Sequence, residues 1–354
     1  KLLGGKSMSA RFKTLLRLFI GLALVLSTLT FLGCPADDDT DGNGANGNGT
    51  EPPKGTLVMA DLDWDSAQIH NRIAAFILEH GYNYEIEYIY GSTIPLFVGL
   101  AQGDIDISME IWVENQQEAY LKAVGAGEVV DLGGNFLDNW QGWLVPTYMI
   151  EDGLLPADIS VDNIGQYWEL FQDPEDPDKG RFYSCIIGWA CELINAEKMQ
   201  VYGLDQTFNV FEPGSGTALL TSMVSAYEQH EPWFGYYWSP TPALGKYDMT
   251  VVSEPVFDTA VWENNHGCGF PAVTVDIVVN ADLLTRAPEV IAFLQAYDTT
   301  AALTNAALAF YDDVDASTAE AALMEAAEWF LGEYEDVWTE WVPADVAAKV
   351  RAAL

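Results

Sequence analysis

Leu57 to Ile111 reads LVMADLDWDSAQIHNRIAAFILEHGYNYEIEYIYGSTIPLFVGLAQGDIDISMEI, and its period changes repeatedly. Leu57–Leu62 is a short apolar run and reads as a strand. From Ser66 to His80 the apolar residues recur at helical spacing. Ile69, Ile73, Phe76 and Ile77 share one face, and Gly81 is the expected stop. Tyr84–Tyr90 alternates as a second strand. Ile94–Gln102 reads as a short helix ended by Gly103, and Ile105–Ile111 as a third strand. Strand, helix, strand, helix, strand implies a parallel sheet covered by helices, hence an α/β fold.

A second unit begins near Ile150. Arg181–Ile186 reads as a strand and Cys191–Gly203 as a helix with Leu193, Ile194 and Met199 apolar. Gly216–Gln229 is a second helix, Trp233–Trp238 a strand, and Ala272–Val279 a β-branched strand. The remainder is Ala-rich and helical. No internal repeat is present. The expected organisation is a leader and signal over 1–34 and a tether over 35–55. One lobe then comprises 56–150 plus 270–354, and a second comprises 151–269. Two such units joined by a crossing chain leave a cleft, and ligands of open α/β sheets sit beyond strand ends.

The chain has 354 residues, 53 acidic against 15 basic, and a formal charge of −38. No basic surface exists to neutralise phosphates, which excludes nucleic-acid binding. A content of 49% hydrophobic and 12% aromatic residues excludes overall disorder. The basic residues cluster early: Lys1, Lys6, Arg11, Lys13 and Arg17 precede an apolar run from Leu18 to Leu26. Met8 is the expected start, with residues 1–7 as leader. This pattern is a secretory signal, too short for a comfortable membrane span. The ending Phe31-Leu32-Gly33-Cys34 resembles a bacterial lipoprotein signal, which implies lipidation of Cys34. Pro35–Lys54 is rich in Asp, Gly, Asn, Thr and Pro and reads as a flexible tether. The expected location is the outer face of a bacterial membrane, lipid-anchored, in an oxidising compartment.

The other cysteines are Cys185, Cys191 and Cys268. Three is odd; Cys185 and Cys191 are close and make the natural pair, leaving Cys268 as a buried free thiol. The four His show no ligand spacing near them, so no metal is expected.

Four of the 12 Trp fall at predicted strand ends: Trp64, Trp112, Trp189 and Trp238. Trp faces carry negative potential, and several around one point attract a cation that donates no hydrogen bonds. Gly188-Trp189-Ala190-Cys191-Glu192 runs into a helix, where the N–H groups of Ala190, Cys191 and Glu192 are expected to be unpaired and able to hold an anion. A cation box beside an anion-binding helix end suits a small zwitterion, of which glycine betaine is the simplest.

These residues resemble the glycine betaine/proline betaine substrate-binding proteins of ABC transporters, from about Leu57 to Val342. The resemblance rests on His80-Gly81-Tyr82, Gly103-Asp104-Ile105-Asp106, Glu110-Ile111-Trp112, Cys185-Ile186-Ile187-Gly188-Trp189-Ala190-Cys191-Glu192, Tyr236-Tyr237-Trp238-Ser239-Pro240 and Gly269-Phe270-Pro271. It implies a two-lobed periplasmic-binding-protein fold of type II. It further implies a box of Trp112, Trp189 and Trp238, a ligand carboxylate on the N–H groups of Ala190 and Cys191, help from Gln116, and a Cys185–Cys191 disulfide. Trp64, Trp140 and Trp143 are further candidates for the box. Ala190 stands where the family commonly has Gly. The implied partners are glycine betaine or a related quaternary ammonium osmolyte and the permease and ATPase subunits of an importer.

Other classes fit less well. An enzyme lacks support: there is no Gly-x-Ser-x-Gly, no Walker-type lysine and no paired-His motif, and no cofactor is implied. Choline keeps the cation but lacks the carboxylate. A sugar would need open Trp faces with polar donors. Asp173–Gly180 faintly resembles a calcium loop, but its prolines are wrong, and a solvated acidic loop is expected instead. Trp329, Tyr334, Trp338 and Trp341 near the C-terminus are expected to pack onto the first lobe.

Overall fold

In a computed structural model that describes residues 52–354, β1 (Thr56–Leu62), β2 (Glu85–Gly91) and β3 (Ile107–Trp112) pair in parallel with β1 in the middle. The expected leader, the Cys34 lipidation site and most of the tether lie outside the described residues. No helix among those described is long and apolar enough to cross a membrane.

The connecting helices are α1 (Asp65–Tyr82) and α2 (Thr93–Gln102). Helix α1 runs one turn past Gly81 and is closed by Asn83, in the left-handed conformation at φ 64°. Gly81 serves packing instead: a Cβ there would lie 2.6 Å from Val346 Cγ1 on the C-terminal helix Ala344–Ala353. Trp338 and Trp341 join the same core as Ile73, Ile77 and Phe330. The C-terminal aromatics therefore cover α1, as their spacing suggested.

The first sheet is not wholly parallel. Its order is β2-β1-β3-β11-β4, with β11 (Val275–Asn280) antiparallel to both β3 and β4 (Val129–Phe136). β11 returns from the second unit and enters from the opposite end, so it runs against its neighbours. All its residues are buried, in line with its continuous apolar character.

The second sheet has the order β10-β5-β9-β7-β6, from β5 (Trp140–Pro146), β6 (Gln172–Asp173), β7 (Asp176–Tyr183), β9 (Gly235–Ser239) and β10 (Met249–Val251). β8 (Phe208–Phe211) pairs with β7. The expected boundary at 150 is thus too late. β5 pairs with β9 and belongs to the second sheet because Trp143 packs on Phe182 and Phe234. The chain crosses between Phe136 and Trp140 and returns between Val251 and Val275.

The acidic stretch 173–180 is also reassigned. It is mostly the β6–β7 hairpin rather than a solvated loop. Asp173 is buried and receives Arg181 Nη2–H at 2.7 Å and Asn209 Nδ2–H at 3.0 Å. Arginine pairing and backbone and Asn209 hydrogen bonds hold its pKa below the usual value despite burial. A carboxylate satisfied in this way has little left for a metal.

Candidate ligand site

Four indoles converge where the two sheets meet. Trp64 follows β1 and Trp112 ends β3; Trp238 lies in β9, and Trp189 is the N-cap of the helix Ala190–Val201. With Thr93, Asn115, Ala190, Cys191 and Tyr236 they line a cavity of about 30 Å³. Trp189 is central. Its ring lies 5.5 Å from Trp64 at 77° and 5.1 Å from Trp238 at 82°. Such edge-to-face packing fixes each ring's angle to the next.

Carboxyl groups back three of the four rings. Glu110 stands two residues before Trp112 on β3, so strand alternation puts both side chains on one face. Its Oε2 accepts Trp64 Nε1–H at 2.8 Å and Trp112 Nε1–H at 3.4 Å. Its Oε1 has no partner among the described residues. Burial pushes the Glu110 pKa up to about 7, with Trp64, Ser66 and Trp112 pulling partly the other way. Asp63 Oδ1 accepts Trp189 Nε1–H at 2.5 Å, and burial raises its pKa against that bond. A carboxylate on an indole N–H enriches the ring in electron density and strengthens its attraction for a cation.

The helix end beside Trp189 offers two donors. The N–H groups of Ala190 and Cys191 have no acceptor among the described residues, whereas Glu192 N–H bonds Trp189 O at 3.2 Å. The expected trio is therefore a pair. The loop is held from both sides. Gly188 has φ +94°, and a Cβ on it would overlap Ser92 Oγ, so glycine is required. Ile94 N–H donates to Gly188 O at 3.1 Å, seating the loop on the start of α2. At the far side of the helix, buried Lys198 donates to Glu254 Oε1 at 2.5 Å and to Cys268 O. Burial lowers the Lys198 pKa and Glu254 opposes it, so the helix is tied to the returning chain by a partnered charge.

A family model described as the substrate-binding domain of ABC-type glycine betaine transport systems matches residues 55–332. The chain belongs to this family. Family members work with the permease and ATPase subunits of their transporters and are substrate-binding proteins rather than enzymes. A trimethylamine N-oxide-binding protein of Pelagibacter ubique (strain HTCC1062) is 24% identical over 322 residues, covering 90% of this chain and 96% of the relative. A glycine betaine/proline betaine-binding periplasmic protein of Escherichia coli (strain K12) is 24% identical over 283 residues, covering 75% and 81%. Among solved structures, an ABC-transporter choline-binding protein in complex with choline superposes with TM-score 0.68 at 19% identity. It covers 84% of this chain and 97% of that one. The two-lobed fold is thus shared with the family.

Within this substrate-binding domain, Trp64, Trp112, Trp189, Trp238, Ala190 and Cys191 come together. Gln116 is not in the lining of that cavity. It ends the 3₁₀ turn Val113–Gln116 and lines an adjoining groove that shares Asn115 and Ala190 with the box. Asn115 takes the wall position instead. It exchanges two hydrogen bonds with Gln141, at 3.1 and 2.9 Å, and Gln141 accepts Tyr236 O–H at 2.9 Å. Trp143 is a core residue bonded to Asn195, and Trp140 pairs in β5 outside the cavity. Thr93, Asn115, Tyr236 and Glu110 were missed. The one available signal was Glu110, which shares the face of Trp112.

Cys185 and Cys191 are bonded, with Cα atoms 6.3 Å apart, and Cys268 is buried and free. The bond closes a short loop, so its entropic effect is about 2 kcal/mol. Urea unfolding with and without reductant should show a loss of about that size. Weakened ligand binding by the reduced, still folded domain would follow from a loosened Trp189; unchanged binding would confine the bond to stability.

Proposed function

We propose that the domain captures glycine betaine or a closely related small trimethylammonium zwitterion for an ABC importer. The cation sits among Trp64, Trp112, Trp189 and Trp238, and the carboxylate meets the N–H groups of Ala190 and Cys191. The observation that carries this reading is the convergence of four Trp rings, Trp64 and Trp112 from the first lobe and Trp189 and Trp238 from the second, on one small cavity. Because the walls come from both lobes, the ligand favours lobe closure, and the closed form is what the transporter recognises. The protein performs no chemistry of its own. It is exported and lipid-anchored through Cys34. Rings packed edge to face leave no flat platform for a sugar. Choline would offer the Ala190 and Cys191 N–H groups only a neutral hydroxyl oxygen in place of a carboxylate.

Trimethylamine N-oxide is the second reading. It is favoured by the small cavity and by the relative that spans nearly the whole chain. Calorimetric titration of the full chain with glycine betaine, trimethylamine N-oxide, choline and maltose decides between them. Tight binding of glycine betaine supports the first reading. Preference for the N-oxide promotes the second, and absence of heat with all three amines overturns both.

A further inference from the structure

A second, larger cavity of about 370 Å³ adjoins the box and shares Trp64 and Trp238 as its wall. We propose that it is a separate ligand site, for an organic cation bulkier than the guest of the box. The inference does not depend on which ligand the box takes.

Charge sets the class. Asp63, Asp65, Glu228 and Asp312 line the cavity, against Lys246 alone. Lys246 is already paired with Asp312, Glu228 accepts Tyr247 O–H at 3.2 Å, and Asp63 accepts Trp189. Asp65 has no hydrogen bond or ion pair among the described residues, which leaves an uncompensated negative charge at this wall. An anion is therefore repelled and a cation drawn in. The rest of the lining is aromatic and aliphatic: Tyr237, Tyr311, Leu220 and Leu308 join the two shared indoles. Rings with carboxylates suit an ammonium on an apolar body. The space lies within the ordinary range for small-molecule sites, roughly 300–1,000 Å³.

Position sets the consequence. Asp65, Leu308 and Tyr311 belong to elements packed with the first sheet, and Leu220 and Tyr237 to the second unit. An occupant bridges the lobes beside the box and holds them in the same arrangement that a guest in the box requires. Occupancy of the two sites is then mutually reinforcing.

Benzyltrimethylammonium is a suitable probe, titrated calorimetrically into the full chain saturated with glycine betaine, with benzoate as the anionic control. The expected result is one further equivalent of the cation, no benzoate binding, and tighter glycine betaine binding when the probe is present. Leu220→Trp narrows the space and should weaken the probe by about 10-fold or more. Asp65→Asn should weaken it by about 5-fold. Both variants should bind glycine betaine alone as the parent does. The proposal is overturned if the probe displaces glycine betaine, if no second equivalent binds, if benzoate binds equally, or if both variants take up the probe unchanged. A parent that ignores glycine betaine but still binds the probe, in a manner lost in Leu220→Trp, would sink the reading of the box and support this one.

Discussion

Trp189→Ala should abolish measurable glycine betaine binding. Trp189 touches both neighbouring indoles, and its N–H donates to Asp63 across the two lobes. A desolvated cation–π contact is worth about 2 kcal/mol. A hydrogen bond to a carboxylate adds about 1.5–3 kcal/mol. Together they amount to at least two orders of magnitude in affinity, by the relation of about 1.4 kcal/mol per tenfold. Trp189→Phe keeps a ring and loses only the N–H, so it should retain intermediate affinity. Calorimetry on both variants, with circular dichroism as a check on folding, tests this. Parent-like binding by Trp189→Ala would place the ligand elsewhere.

The second large effect is pH dependence through Glu110. Burial raises its pKa from 4.5 to about 7. Protonation is therefore easier in the folded protein than in the unfolded chain. The corresponding stability is fully present below pH 4.5 and is lost as the pH rises through about 7, amounting to about 3 kcal/mol. A bound cation acts in the opposite sense, because it favours the ionised carboxyl. Affinity for tetramethylammonium should rise by about 5-fold from pH 6 to pH 8 if the cation lowers the pKa by one unit. Glu110→Gln cannot ionise and should flatten both profiles while keeping an acceptor for the indoles. A pH slope that survives in Glu110→Gln would assign the titration to another group.

Which parts of the site were legible in the sequence follows from the kind of signal each residue leaves. α1 and β2 could be read because their apolar residues follow a period of 3.6 or two, and β1 because it is a short apolar run. Trp189 could be read because Trp and Cys are rare and stand together with Gly ahead of a helix. Glu110 shares the face of Trp112 by strand alternation, but one carboxyl in that position does not stand out among 53 acidic residues. Gln116 and Asn115 are neighbours in a 3₁₀ turn, where each step swings the side chain by about a third of a turn. A motif match could reach the turn but not decide which of the two faces inward. β5 escaped because Gly142 interrupts its apolar run, and its pairing with β9 joins residues far apart in the chain.

The position of β11 bears on how the molecule is made. This strand fills the gap between β3 and β4, yet it follows the entire second unit in the chain. A polypeptide synthesised from its N-terminus can pair β1, β2 and β3 early, but β3 keeps an open edge until Asn280 has emerged. The first lobe to begin is thus the last to be completed. Its closing step joins partners more than 150 residues apart, such as Trp112 and Val275. Non-local pairing of this kind is slow, and an open edge held for that long is prone to association with other chains. The same delay keeps the nascent chain loosely structured, the condition in which a polypeptide can still be threaded through a narrow channel.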